Sequence, residues 1–387
     1  MTGVDRVELA YLKQLSQESV PLYALVRSAF GYLLLGPEAI GKIAARLEGR
    51  AAWGRPDLLS RLSRLPDPVA RAQSDLRRLA RGRCLRRGLA RMLRRDLPDG
   101  FAYFNTGHSN LSGRTLRGVR RGGAGRIVVL IHDAIPLEFP DLQRPGTVEV
   151  FRGRLQRVRA HADLVIYNSA DTRARVEALM AVWGMLPPGV VAHLGVEVAP
   201  PEALPPELVF DNPYFVALGT IEPRKGHALL LDMWEELERD METEGARLPG
   251  LLICGARGWN NAAVFSRLDR LPPDGPVREL PGLSDGQIAA LLQGSSGLLF
   301  PSLAEGYGLP PMEAAALGVP VICSDLPALR EVLENIPVYV QESDRYQWLS
   351  AVKCLLEGQK KRQEAVKIAG FVPPSWEDHF NVVLRLT

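Results

Sequence analysis

The chain has 387 residues, which is about the length of two domains. Its hydrophobic content of 46% and charged content of 24% are typical of a globular protein in water, and a net charge of +3 favours no class of partner. No apolar stretch is long enough for a transmembrane helix, and the first residues contain no signal-peptide core. Four widely spaced cysteines indicate a reduced cytoplasmic setting, without a disulfide framework or a zinc site.

Gly3 lies close to the N-terminus and is followed by a helical pattern from Val7. A doubly wound α/β domain normally opens with a strand, and none precedes this glycine. We therefore expect the first sheet to lack its first strand.

Nine arginines lie between residues 77 and 95, with no acid among them. Leu85, Leu89, Met92 and Leu93 recur beneath them at helical spacing, which predicts a basic amphipathic helix. Arg77–Arg95 would then face an anionic membrane surface, or nucleic acid as the competing partner. We do not expect nucleic acid, because no aromatic side chains are interleaved with the arginines. A solvated, salt-bridged helix explains the same pattern.

Two apolar segments, Phe101–His108 and Arg126–Asp133, predict buried parallel strands. The second ends in His132 and Asp133, and side chains at the carboxyl ends of such strands face the ligand crevice. His132 could equally end the strand without any chemical role. A further strand, Leu164–Tyr167, leads to Ser169, which could cap the helix that follows.

The segment Val198–Phe210 carries four prolines and predicts a linker between two domains. After it, the strand Tyr214–Thr220 leads through a loop into a helix over Ala228–Leu237. Arg224 and Lys225 lie on that loop, where a helix N-terminus would favour a phosphate. Alone, they could be an exposed basic turn.

The most informative segment is Gly297–Val332, which predicts a strand, a glycine-bearing loop, a short helix and another strand. Pro310 and Pro311 suit the first turn of the helix. Glu305 lies on the loop and Glu313 in that first turn. Carboxylates accept hydrogen bonds from sugar hydroxyls, so the pair favours a ligand with hydroxyl groups. The alternative is a solvated loop acid and an acid complementing the helix dipole.

Glu305-x7-Glu313, within the block from Phe300 to Asp325, resembles the Glu-x7-Glu signature of retaining glycosyltransferases of family four. The resemblance implies an α/β protein of the GT-B fold, with two Rossmann-like doubly wound domains facing a cleft. It implies that Glu305 contacts the donor sugar and Glu313 the ribose of the nucleotide. It also implies that Arg224 and Lys225 neutralise the donor diphosphate and that His132 lies by the donor sugar.

The same resemblance gives the remaining candidate residues. Expected donor-binding residues are Gly3, Gly306, Tyr307, Gly308, Leu309 and Glu313, with Asp133 and Ser169 on the acceptor side. The expected domains are residues 1–197 on the acceptor side, a linker over 198–210, a nucleotide-sugar domain over 211–370, and a helix in 371–387 crossing back. Trp376 on that helix is expected to be a packing anchor.

The predicted activity is transfer of a hexose from a nucleotide diphosphate sugar to a sugar or lipid-linked sugar. Bacterial relatives with similar segments build surface polysaccharide, some of them with mannose. The sequence has no Asp-x-Asp pair, so we expect no metal and no cofactor. Two alternatives stay open: a nucleotide-sugar epimerase of the same fold, and a non-catalytic scaffold that binds membrane or nucleic acid. The expected location is cytoplasmic, peripheral at the inner face of the plasma membrane.

Overall fold

The computed structural model describes residues 3–63, 65–210, 212–244, 247–362 and 371–386. Within these ranges the strands form a three-stranded, a four-stranded and a six-stranded sheet. None of the helices there combines the length and hydropathy that crossing a lipid bilayer requires. The predicted domain limits at residues 211, 370 and 387 lie outside the described residues, and the domain division stays a prediction.

The first part of the chain builds an antiparallel sheet surrounded by helices. Its elements are α1 (Gly3–Leu15), β1 (Ala24–Arg27), β2 (Gly31–Leu35), α2 (Pro37–Leu47), α3 (Leu58–Leu62), α4 (Asp67–Leu79), β3 (Ala80–Leu85) and α5 (Leu89–Asp96). Strand β2 lies between β1 and β3 and pairs with both. Leu35, Ala39 and Ile43 form a small core under this sheet.

The arginine-rich segment corrects one prediction, because it is not a single helix. It forms the end of α4, the strand β3 and the helix α5. In β3 the inward positions are Gly82 and Cys84, while Arg81 and Arg83 point outwards, as the alternation of a strand requires. Of the predicted apolar face, Leu89, Met92 and Leu93 lie in α5 and are buried, whereas Leu85 ends β3 and is exposed.

A parallel sheet in the order β4-β5-β6-β7 follows. The elements of this part are β4 (Ala102–Asn105), α6 (Gly113–Arg121), β5 (Arg126–Ile131), α7 (Ile135–Glu138), α8 (Thr147–His161), β6 (Leu164–Tyr167), α9 (Ala170–Ala181) and β7 (Gly189–Val191). Five consecutive residues of β5, Ile127–Ile131, are buried, as expected of a central parallel strand. Within the described residues β4 is an edge strand, and α1 is preceded by no strand.

The last part contains a six-stranded parallel sheet in the order β10-β9-β8-β11-β12-β13. Its elements are β8 (Tyr214–Leu218), α10 (His227–Glu244), β9 (Gly250–Cys254), α11 (Ala262–Leu268), β10 (Val277–Leu280), α12 (Asp285–Gly294), β11 (Gly297–Phe300), α13 (Leu309–Ala316), β12 (Val321–Ser324), α14 (Pro327–Leu333), β13 (Val338–Val340), α15 (Arg345–Arg362) and α16 (Trp376–Leu384). The strand order reverses between β8 and β11, and ligands of doubly wound sheets bind at that switch point.

Helix α16 packs against the first part of the chain. The hydroxyl of Tyr11 lies 2.7 Å from Nε2 of His379, and Nδ1 of His379 lies 3.0 Å from the His193 carbonyl oxygen. Trp376 packs on Gly195 and on the Tyr11 ring. The contacts of Trp376 are those of a packing residue.

Candidate active site

The loops that follow β8 and β11 meet at the switch point of the six-stranded sheet. The first loop contains Glu222, Arg224 and Lys225, and the second contains Glu305. Gly226 is left-handed (φ +69°), and a side chain there would overlap the carbonyl group of Pro301. Glycine at this position therefore lets the two loops approach closely enough for their charged side chains to pair.

The four charged side chains form one buried network. Nζ of Lys225 lies 2.5 Å from Oε1 of Glu305, and Nη1 of Arg224 lies 3.0 Å from the same oxygen. Nε of Arg224 lies 2.6 Å from Oε1 of Glu222. Two cations and two carboxylates are thus held away from water at the carboxyl end of the sheet. A diphosphate placed here would meet both cations.

The network fixes the charge of Glu305. Burial alone would raise its pKa, but Lys225 and Arg224 outweigh burial and lower the pKa to about 2. Burial lowers the pKa of Lys225, although Glu305 opposes that shift. Burial also raises the pKa of Glu222, against the effect of Arg224. Glu305 is therefore the firmly ionised carboxylate of the site, as an acceptor for sugar hydroxyls should be.

Glu313 lies in α13, whose first turn begins at a left-handed Gly308 (φ +98°) and continues through Pro310 and Pro311. Its side chain is buried, and burial raises its pKa, although Arg6 opposes the shift. Nη1 of Arg6 lies 2.5 Å from Oε1 of Glu313. Arg6, in α1, was not among the predicted site residues, and its pairing with Glu313 in α13 could not be inferred from sequence spacing.

The four-stranded parallel sheet of the first half of the chain faces the Glu305 loop and contributes the residues on the opposite side of the site. The amide of Asn168 donates to the His132 carbonyl oxygen at 2.8 Å, and the hydroxyls of Ser169 and Thr172 donate to the Gly306 carbonyl oxygen at 3.0 Å. A Cβ on Gly306 would overlap the His132 carbonyl oxygen and lie 2.8 Å from Cβ of Asp133. His132 and Glu305 therefore flank a shared crevice.

A cavity of about 140 Å³ lies in this crevice. Its lining includes Asp133 and Glu138 from one side, Arg175 from α9, and Ala304 and Glu305 from the other side. Burial raises the pKa of Asp133, although Arg224 opposes it. The cavity thus combines a carboxyl group, a guanidinium group and the Glu305 loop, which suits a polar, hydroxyl-bearing ligand.

The imidazole ring of His132 contacts other residues of the first half of the chain. Its Nε2 lies 2.6 Å from the Thr106 carbonyl oxygen, and its ring lies 5.3 Å from the ring of His108. Burial lowers the pKa of both rings, that of His108 to about 3. His132 is therefore a neutral imidazole. His108 is a neighbour that sequence analysis missed, although it ends a predicted strand.

The family model described as glycosyl transferases group 1 matches residues 204–370. This part of the chain is a group 1 glycosyltransferase domain. The match confirms the family resemblance predicted from the Glu305-x7-Glu313 block.

The glycosyltransferase domain and its surroundings are similar to two curated proteins. The serotype-specific mannosyltransferase WbdA of Escherichia coli is 32% identical over 235 residues, which cover 56% of this chain and 28% of WbdA. The O-antigen chain mannosyltransferase B of Escherichia coli is 34% identical over 131 residues, which cover 34% of this chain and 33% of that protein. The chain spans about a third or less of the length of each relative.

Some of the solved structures are similar over nearly the whole chain. One of them is a trehalose-6-phosphate synthase used in work on enzymatic glycosyltransfer with retention, with a TM-score of 0.56 and 15% sequence identity. The similarity covers 98% of this chain and 93% of that chain. It confirms the predicted GT-B fold.

The structure brings most of the predicted residues to the edge of the glycosyltransferase domain that faces the first half. Gly3 lies beside Leu309, with its Cβ position 3.7 Å from the leucine side chain. The Tyr307 hydroxyl donates to the Leu194 carbonyl oxygen at 2.7 Å. Ser169 caps α9 and contacts Gly306, so its hydroxyl is used inside the protein. The roles of these residues toward donor and acceptor stay predictions.

Proposed function

We propose that this chain transfers a hexose from a nucleotide diphosphate sugar to a hydroxyl acceptor, with retention of configuration and without a metal ion. The observation that carries the proposal is the buried network of Arg224, Lys225 and Glu305 at the switch point, opposite Asp133. It offers two cations for a diphosphate beside an ionised carboxylate for a sugar, and Glu305 also lines the cavity.

The proposed reaction breaks the bond between the anomeric carbon and the diphosphate oxygen, and the bonding electrons pass to the diphosphate. Arg224 and Lys225 stabilise the charge that develops on this leaving group. The acceptor oxygen forms the new bond on the same face of the sugar, and its proton passes to the leaving phosphate. Glu305 orients the donor sugar, and Glu313 accepts hydrogen bonds from the ribose.

The mannosyltransferase relatives support mannose as the hexose and surface polysaccharide or glycolipid as the product. A lipid-linked acceptor would place the reaction at the inner face of the plasma membrane. The excess of arginine between residues 77 and 95 supports contact with anionic lipid there.

The test is transfer from a panel of guanine, uracil, thymine and adenine nucleotide sugars, with and without chelator. Replacing Glu305 by Ala should lower kcat by about 10²–10³-fold, the usual effect of removing one polar group that stabilises a transition state. Glu342→Ala, an exposed acid in the same half, is the matched control. Unchanged turnover in Glu305→Ala would contradict the role of Glu305, and loss of activity with chelator would contradict metal independence.

The same assay separates the two alternatives. An epimerase would convert the donor sugar in the absence of acceptor, whereas a transferase needs the acceptor. A non-catalytic scaffold would bind no nucleotide sugar in a calorimetric titration. The mannosyltransferase relatives favour transfer.

A further inference from the structure

Two turns lie side by side at one end of the antiparallel sheet. The first, residues 28–31, connects β1 to β2, and the second, residues 85–88, follows β3. Gly31 pairs with Leu85 across the β2–β3 ladder, and the Arg86 guanidinium donates to the Ala29 carbonyl oxygen at 3.4 Å. We call these two turns the sheet tip.

The sheet tip exposes two large apolar side chains. Phe30 is 56% exposed and Leu85 is 73% exposed. They come from different turns, and Gly31, which follows Phe30, is paired with Leu85, so the two turns are adjacent along the backbone. An exposed aromatic and an exposed leucine on adjacent turns form an apolar point that the fold itself does not cover.

Cations lie close to Phe30 and Leu85 along the chain. Arg27, Arg83, Arg86 and Arg87 are all exposed. The surrounding sequence is strongly basic, with nineteen arginines and six acids between residues 77 and 161, although the whole chain has a net charge of only +3. The positive charge is therefore concentrated on the part of the molecule that carries the sheet tip.

The strands beside the tip contact the segment that follows β4. A side chain at Gly31 would overlap the backbone of Cys84, so the two turns are in close backbone contact. The Tyr32 hydroxyl lies 2.8 Å from the Thr115 hydroxyl, and the Asn110 amide donates to the Leu25 carbonyl oxygen at 3.2 Å. Residues 110 and 115 follow the carboxyl end of β4, the edge of the sheet that faces the cleft.

We propose that the sheet tip docks on an anionic lipid bilayer, with Phe30 and Leu85 entering the headgroup boundary and the four arginines binding lipid phosphates. Apolar side chains close to cations match the chemistry of that surface, where each arginine contributes roughly a fivefold gain in binding. The docking deepens the proposed function, because it would deliver a lipid-linked acceptor on the cleft side. Three of the four arginines and Leu85 belong to the predicted segment Arg77–Arg95, but the proposed surface adds Phe30 and Arg27 and is formed by two turns instead of an amphipathic helix.

The test is flotation of the full chain with vesicles of phosphatidylglycerol and phosphatidylcholine in equal amounts, and with vesicles of phosphatidylcholine alone. Binding should require the anionic lipid and weaken with salt. The double variants Phe30→Ser with Leu85→Ser, and Arg86→Gln with Arg87→Gln, should each lower binding at least tenfold. Met185→Ser, which alters a side chain 90% exposed elsewhere, and Arg270→Gln should bind as the wild type does.

A second measurement tests insertion. Phe30→Trp should show more quenching by brominated lipid than the wild type does. No vesicle binding by the wild type, equal binding by the tip variants, or no added quenching would each overturn the proposal. Tighter binding to an oligonucleotide that displaces the vesicles would also overturn it.

Vesicle binding requires no donor and no turnover, so its failure is separable from failure of the proposed transferase activity. The tip variants should keep the wild-type unfolding temperature and the wild-type rate with a water-soluble acceptor. If that rate fell with the loss of vesicle binding, the tip would have a role within the enzyme and the docking proposal would be overturned.

Discussion

At the scale of single residues, the site depends on which carboxylates are ionised. Glu305 has two cationic partners, whereas Glu313 has Arg6 alone opposing the rise in pKa that burial causes, and Asp285 from α12 adds to that rise. Arg6 also donates to the Glu197 carbonyl oxygen at 3.3 Å. Arg6 therefore connects α1 to Glu197, just before the predicted linker, and to Glu313 in the glycosyltransferase domain.

Replacing Arg6 by Met should weaken nucleotide binding by about tenfold to a hundredfold, because a charge-assisted hydrogen bond contributes roughly 1.5–3 kcal/mol. Without Arg6 the pKa of Glu313 should rise further. A carboxyl group with a raised pKa protonates as pH falls, so the variant should lose affinity at a pH where the wild type still binds. Titration calorimetry across a pH series measures both effects.

Lys13→Met is the control for Arg6→Met, since Lys13 lies on the same helix but pairs with Glu48. Arg6→Lys should restore part of the affinity. Tighter nucleotide binding by Arg6→Met would show instead that Arg6 blocks the ribose site.

At the scale of elements, the parallel strands could be predicted because continuous apolar runs mark buried strands. β6 occupies the predicted residues, Leu164–Tyr167, and the predicted cap Ser169 is in place. Strand β3 could not be recognised, because alternating arginines in a strand and arginines around a helix give similar local patterns. What distinguishes the strand from a helix is its pairing with β2, which lies about fifty residues earlier in the chain.

Gly306 brings the Glu305 loop into close contact with His132 and Asp133 at the end of β5. Gly306→Ala should destabilise the protein by about 1–3 kcal/mol and lower kcat, because the new Cβ would push the Glu305 loop away from His132 and Asp133. Denaturant unfolding and donor turnover measure the two effects. Gly41→Ala is the control, since a Cβ in that helix meets nothing within 4 Å. Wild-type turnover in Gly306→Ala would mean that close approach of the two walls is not required.

At the scale of the whole molecule, His132, Arg224, Lys225 and Glu305 could be predicted to follow strands, and in the structure they follow β5, β8 and β11. Arg6 and the partners of Glu331 could not be predicted, because their contacts join segments far apart in the chain. Glu331 in α14 accepts hydrogen bonds from the backbone N–H groups of Ala170 and Asp171 at 2.6 and 3.1 Å. Nε2 of His193 lies 2.8 Å from the same carboxylate.

These contacts make Glu331 the main polar link between α14 and the N-terminus of α9, where a negative charge is favourable. Glu331→Ala should therefore shift the protein towards an open form, with a larger radius of gyration in solution scattering and a weaker response of that radius to added nucleotide sugar. KM for the donor should rise more than kcat falls, because closure is needed before the chemical step. Asp325→Ala is the control, since Asp325 pairs with Arg330 beside it. An unchanged radius and KM would show that the apolar contacts between the halves hold them together without Glu331.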